Sequence, residues 1–152
     1  MPRDLSIEVN GMKFKNPFVI GSGPPSTNAK VISRCFQAGW GGVVAKTVAL
    51  DRTEVVNVVP RYGKLKDSAG TVYGFENIEL ISDRPLSVWI DEFKEVKNAW
   101  PENILVASIM AEYKKDDWQE IAERVQATGV DAIELNLSCP HGHPEKQMGA
   151  HM

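Results

Sequence analysis

The sequence predicts an α/β protein with four parallel strands alternating with helices behind an N-terminal β-hairpin, which is half of an eight-stranded (β/α) barrel. Three observations predict it. Four short apolar, β-branched-rich runs have the length of strands buried on both faces. Amphipathic segments with helical spacing separate those runs, as parallel neighbours require. The repeat of about 40 residues per unit, set against the ~250 residues of a complete barrel, leaves room for only half of one.

The elements follow in order. Ser6-Ile7-Glu8-Val9 and Met12-Lys13-Phe14-Lys15 alternate apolar and polar residues around Asn10-Gly11, a pair that tolerates the positive φ of a two-residue hairpin turn. The strand runs are Pro17 to Ser22, Gly42 to Thr47, Ile104 to Ile109 and Ala132 to Leu137. The first helix spans Val31 to Ala38, with Thr27 or Asn28 as cap and Gly39 as stop. The second carries Trp89, Phe93, Val96 and Trp100 on one face, with Ser87 as cap and Pro101 beyond its end. The third runs from Asp116 or Asp117 to Gly129 through Trp118, Ile121, Ala122 and Val125. Between Val48 and Ser87 no periodicity emerges, and Pro60, Gly63, Gly70 and Gly74 punctuate the stretch. So long a connection reads as an active-site loop.

Composition excludes several classes of function. The 152 residues are 43% hydrophobic and 24% charged, the balance of a globular domain. Seventeen Lys plus Arg against 20 Asp plus Glu give a net charge of −3, without the basic patch that tracks nucleic acid. Neither a membrane-spanning apolar run nor a secretory signal is read in the sequence, so a cytoplasmic protein is expected. Of the two cysteines, Cys35 sits in an apolar helical pattern and reads as a small buried hydrophobe, whereas Cys139 lies in the polar segment Ser138-Cys139-Pro140-His141-Gly142. No disulfide is expected. Cys139, His141 and His143 lack the spacing of a zinc site, so no metal is expected.

Polar residues cluster where the strands end: Ser22, then Lys46 and Thr47, then Asn136. In parallel α/β folds that end is the ligand-binding face. A lysine in such a run must be stabilised by an anionic or electron-rich ligand, pair with a carboxylate, or escape to solvent. Asn136 suits the edge of a planar heterocycle, or is a buried amide satisfied by backbone. A thiol such as Cys139, with an ordinary pKa near ~8.5, can serve as acid, base or nucleophile, or be inert. Gly21-Ser22-Gly23-Pro24-Pro25 opens like a dinucleotide loop but lacks its third glycine, and its prolines remove backbone donors. Gly23 instead lets a flat ligand approach the backbone.

Several segments together resemble the FMN-binding barrel of the dihydropyrimidine dehydrogenase and dihydroorotate dehydrogenase family. They are Asn16-Pro17-Phe18 before Gly21-Ser22-Gly23, Ala38-Gly39-Trp40-Gly41 before Lys46-Thr47, the stretch from Asn77 to Ser82, and Glu134 to Gly142 with its Asn136-Leu137-Ser138-Cys139-Pro140 core. The likeness covers nearly the whole chain and corresponds to the N-terminal half of a TIM (β/α)8 barrel. The Asn77–Ser82 stretch and His141-Gly142 are more similar to the dihydropyrimidine branch.

The resemblance implies FMN contacts from Ser22, Gly23, Lys46, Thr47 and Asn136, pyrimidine contacts from Asn77, Asn136, Leu137 and Ser138, and proton transfer by Cys139. It implies reduction of the 5,6 double bond of uracil or thymine, with electrons from NAD(P)H arriving through a partner subunit or domain that carries FAD and iron–sulfur clusters. An oligomer is expected. Because the sequence stops at Met152, residues 1–152 are expected to be a partial FMN-binding domain, truncated after the fourth strand and catalytic loop, that binds FMN weakly or not at all by itself. The alternatives are dihydroorotate oxidation with Cys139 as base, an aldolase-like barrel with Lys46 as Schiff-base lysine, and a non-catalytic half-barrel that serves in assembly.

Overall fold

The computed structural model describes residues 3–53, 55, 59–77 and 79–137. Its first feature is the antiparallel hairpin of β1 (Ile7–Val9) and β2 (Met12–Phe14), which pairs Val9 with Met12. Asn10 and Gly11 take φ of 50° and 80°, the left-handed pair that a tight hairpin turn demands.

The main sheet comprises β3 (Val19–Ile20), β4 (Gly42–Val44), β7 (Ile104–Ile109) and β8 (Ala132–Leu135), all parallel and in the order β3-β4-β7-β8. Helices α1 (Ala29–Gln37), α2 (Leu86–Ala99) and α3 (Lys115–Gln126) alternate with the strands. This is the arrangement of a partial TIM barrel. Val43, Ala45, Leu105, Ala107 and Ile109 pack against the helices with fully buried Trp89 and Phe93. By the two-residue period of a strand, Val44, Val106 and Ser108 face the other way.

Helix boundaries are set by local chemistry in two cases and by distant groups in the third. Asn28 caps α1, its side chain accepting from the Val31 amide at 3.0 Å, and Gly39 follows the helix with φ of 92°. Gly129, with φ of 83°, follows α3 in the same way. The expected Ser87 cap of α2 is not used: the helix starts at Leu86 behind Pro85, and the Ser87 amide donates instead to Asp51 Oδ1 at 3.2 Å. Cys35 is half-buried rather than buried, its thiol 3.4 Å from the Pro25 carbonyl.

The long connection after β4 is structured. It contains a second antiparallel hairpin, β5 (Tyr62–Lys66) and β6 (Val72–Asn77), outside the parallel sheet. Asp67 holds its tip, accepting from the amides of Ala69 and Thr71 at 2.9 and 2.8 Å. Among the described residues no helix is long and apolar enough to cross a membrane.

Candidate functional site

The geometry of the site begins with an irregularity just after β4. Val44 pairs with Val106, yet Val48 bridges to Ile109. Four residues on one chain therefore span three on the other, and one extra residue lies between. An extra residue re-aims side chains at a strand end. Here it lets consecutive Lys46 and Thr47 both line one cavity, although strict alternation would send them to opposite faces. The displaced Lys46 amide is satisfied by the Ser26 carbonyl at 2.9 Å.

Thr47 is the hub of a polar cluster drawn from all four parallel strands. Its hydroxyl lies 3.1 Å from Ser22 Oγ beyond β3 and 2.8 Å from Ser108 Oγ in β7, and accepts from Asn136 Nδ2 beyond β8 at 2.9 Å. A hydroxyl has one proton and two lone pairs, so Thr47 can accept from Asn136 and one serine while donating to the other. Its backbone amide also donates to Ser22 Oγ at 3.0 Å. Asn136 is thereby oriented by a side chain, while its own amide extends the sheet by donating to the Ile109 carbonyl.

The facing wall comes from the segment after β6. Asn77 Oδ1 accepts from the Glu79 amide at 3.0 Å, a local turn that fixes both side chains. Glu79 is 5% exposed, its Oε2 3.4 Å from Lys46 Nζ and its Oε1 3.2 Å from Arg61 Nη1. Arg61 continues to Asp83 at 2.7 Å; burial works against the Arg61 charge, but Asp83 and Glu79 more than offset it, so its pKa is raised. The carboxylate pair is thus the fate of the Lys46 charge. Further along, the Ser82 amide donates to the Thr47 carbonyl at 2.7 Å, which seats this wall against the first.

These walls enclose a cavity of ≈ 600 Å³. Of the expected site residues, Ser22, Gly23, Lys46, Thr47, Asn77, Asn136 and Leu137 all line it. Ser138 and Cys139 lie outside the described residues, as do His141 and His143. Glu79 and Glu134 line the cavity too, and Ser108 supports it from below; none of these three was expected. Glu79 had one signal in the sequence, the need of Lys46 for a counter-charge.

The donor set suits a flat, hydrogen-bonding heterocycle stacked on open backbone. A Cβ added at Gly23, which lines the cavity, would meet only Pro25 Cδ at 3.9 Å, so a planar ring can lie against this loop. Among the described residues no group of three metal-ligating side chains gathers.

Comparison with known proteins gives one family match and three relatives. The family model for dihydroorotate dehydrogenase matches residues 4–152. The chloroplastic dihydropyrimidine dehydrogenase (NADP(+)) of Arabidopsis thaliana is 57% identical over 97% of the chain, and the NAD-dependent dihydropyrimidine dehydrogenase subunit PreA of Escherichia coli is 38% identical over 92%. The catalytic subunit of dihydroorotate dehydrogenase B (NAD(+)) from Thermoplasma volcanium is 30% identical over 91%. The chain spans only 36%, 33% and 42% of these three relatives' lengths, respectively.

Proposed function

The chain belongs to the dihydroorotate dehydrogenase family, and from that premise we propose that it forms part of the FMN-binding barrel of an enzyme that reduces the 5,6 double bond of uracil or thymine. The observation that carries this reading is the convergence of Ser22, Lys46, Thr47, Asn77 and Asn136 on one cavity, with Cys139 three residues beyond Asn136 in sequence. The 57% and 38% identities to dihydropyrimidine dehydrogenases, against 30% to a dihydroorotate dehydrogenase, favour the pyrimidine-reducing branch.

In this reading the open backbone at Gly23, together with Ser22, Lys46, Thr47 and Asn136, would hold the flavin. When bound, FMN supplies the hydride, which goes to one carbon of the pyrimidine double bond. Cys139 gives its thiol proton to the other carbon, and solvent returns the proton to the thiolate. Asn77, Asn136, Leu137 and Ser138 hold the pyrimidine. Lys46, paired with Glu79, would be one of the residues holding the flavin, and the wall that carries Asn77, Glu79 and Ile81 would exclude water from the reacting atoms.

The word subunit in the name of the Escherichia coli relative supports a partner that delivers electrons from NAD(P)H, with FAD and iron–sulfur clusters on that partner subunit or domain. The compartment is proposed as aqueous, and the chloroplastic relative makes a plastid an alternative to the cytoplasm.

The test is anaerobic mixing of the reduced, FMN-loaded full-length enzyme that contains residues 1–152 with uracil, thymine or dihydroorotate, following flavin oxidation and pyrimidine products. Oxidation of the flavin with formation of dihydrouracil is expected. In Cys139→Ala, uracil still binds but reduction slows by roughly 10²-fold or more, the scale of a lost general acid. Flavin reduced by dihydroorotate, with no reaction of reduced flavin with uracil, would assign the chain to the biosynthetic reaction instead.

A further inference from the structure

The reaction just proposed gives the Glu79 carboxylate no chemical part, yet it lines the cavity wall. It is buried to 5% exposure, with Lys46 on one oxygen and Arg61 on the other. The oxygen facing Lys46, Oε2, makes no hydrogen bond among the described residues, so what holds it there is charge pairing. Lys46 is the one cation among the described residues that line the cavity, and Glu79 lies 3.4 Å from it. Glu134 adds a second carboxylate to the same lining. An incoming anion therefore meets a lysine already paired with a carboxylate, and two negative groups beside it. A neutral heterocycle meets no such opposition.

We propose that Glu79 is a specificity-determining residue: by occupying Lys46 it confines the cavity to neutral pyrimidines and rejects those that carry a carboxylate. The inference rests on the pyrimidine-reducing reading and deepens it. Glu79 acts through Lys46, so its removal should unmask a cation and produce a gain of binding, which a merely structural role would not produce. Rejection built from an unfavourable charge arrangement is a general route to selectivity.

The experiment is equilibrium titration, by calorimetry, of the FMN-loaded full-length enzyme that contains residues 1–152 with uracil and with orotate, which is uracil bearing a carboxylate. Wild type is expected to bind orotate at least about tenfold more weakly than uracil, and Glu79→Gln to raise orotate affinity by roughly tenfold while uracil affinity changes less. Glu79→Ala should give the same gain, Glu79→Asp should keep the wild-type preference, and adding Lys46→Met to Glu79→Gln should cancel the gain. The ratio of the two affinities within one preparation is independent of the folded fraction, and the alanine variant stands in if the glutamine variant does not fold. Equal affinities in wild type, or an unchanged ratio in both Glu79→Gln and Glu79→Ala, overturn the proposal. A wild type that reduces uracil with an unchanged ratio in those variants overturns this inference alone, whereas a wild type that neither binds nor reduces uracil overturns the functional reading beneath it.

Discussion

Replacing Thr47 by Val removes one oxygen and nearly preserves shape, so its cost reports the hydroxyl cluster itself. Thr47 is 3% exposed and Ser108 0%. The 2.8 Å bond to Ser108 is fully buried, and losing it strands a polar atom where water does not reach, at about 1–3 kcal/mol. Ser22 and Asn136 line the cavity, where water can replace the lost partner, so each adds only ~0–1 kcal/mol. The total is about 1–5 kcal/mol. With a urea dependence of ~2 kcal/mol per molar, the unfolding midpoint should fall by about 0.5–2.5 M. Thr47→Ser keeps the oxygen and should lose far less. In the double variant Thr47→Val, Ser108→Ala the stranded serine hydroxyl is gone, so the pair should cost no more than about the Thr47→Val change alone. A midpoint shift under ~0.3 M for Thr47→Val, or additive costs in the double variant, would refute the hydroxyl cluster as a cooperative unit.

Three other outcomes are expected. A Cβ at Gly41 would lie 2.0 Å from the Asn16 carbonyl oxygen, so Gly41→Ala must displace the chain leading into β3 and should cost at least ~2 kcal/mol in thermal or urea unfolding; an unchanged midpoint would contradict that packing. Ser82→Ala leaves the indole N–H of fully buried Trp89 without its 2.9 Å acceptor, a loss of about 1–3 kcal/mol with altered tryptophan fluorescence. Burial pushes the Cys35 thiol above its ordinary value, so the folded state favours the neutral form. Its small contribution to stability is complete below that ordinary value and fades as pH rises through the folded one. Native Cys35 should therefore be alkylated by iodoacetamide more slowly than a model peptide at mildly alkaline pH, and equal rates would contradict the shift.

Elements defined by near neighbours were legible in the sequence, and those defined by distant ones were not. The run Ile104–Ile109 is a strand over the span read from its apolar residues, because burial on both faces leaves a contiguous signal. Asn10-Gly11 and Asn28 act as read, since turn and cap chemistry is complete within four residues. The β5–β6 hairpin left no such trace. Its strands are largely exposed, with Tyr73 and Phe75 at 70% and 72%, and Gly63 and Gly74 interrupt them. The start of α2 depends on Asp51, 36 residues away, in place of the local Ser87. The site divides in the same way. Polar residues after strand ends announced Ser22, Lys46, Thr47 and Asn136, whereas Ser108 resembles any strand serine until its partner is known. A loop glutamate such as Glu79 reads as solvated until Lys46 and Arg61 are seen to enclose it.

Both walls of the cavity hang from α2, and this determines what can move them. Arg84 holds Glu92 of the helix through two hydrogen bonds of 2.7 and 2.6 Å and donates to the Thr27 carbonyl at 3.1 Å, while Glu92 also accepts from the Ala29 amide. The loop after β3, which carries Ser22 and Gly23, is thereby tied to the helix. The other wall is tied by Ser82, which accepts from Trp89 and whose amide reaches Thr47. Trp89 and Phe93 are fully buried beneath these contacts, so a shift of α2 large enough to open one wall must break core packing that also supports the other. The tip of the β5–β6 hairpin has no such anchor: its described bonds, from Asp67, are local. Motion there can reach the site through β6 and Asn77 or through β5 and Arg61, and the bonds from Asn77 and Arg61 to Glu79, with that from Arg61 to Asp83, resist it. Selectivity built on Lys46 and Glu79 therefore resides in the rigid part of the fold, which is where a preference resting on a 3.4 Å charge pair has to be held.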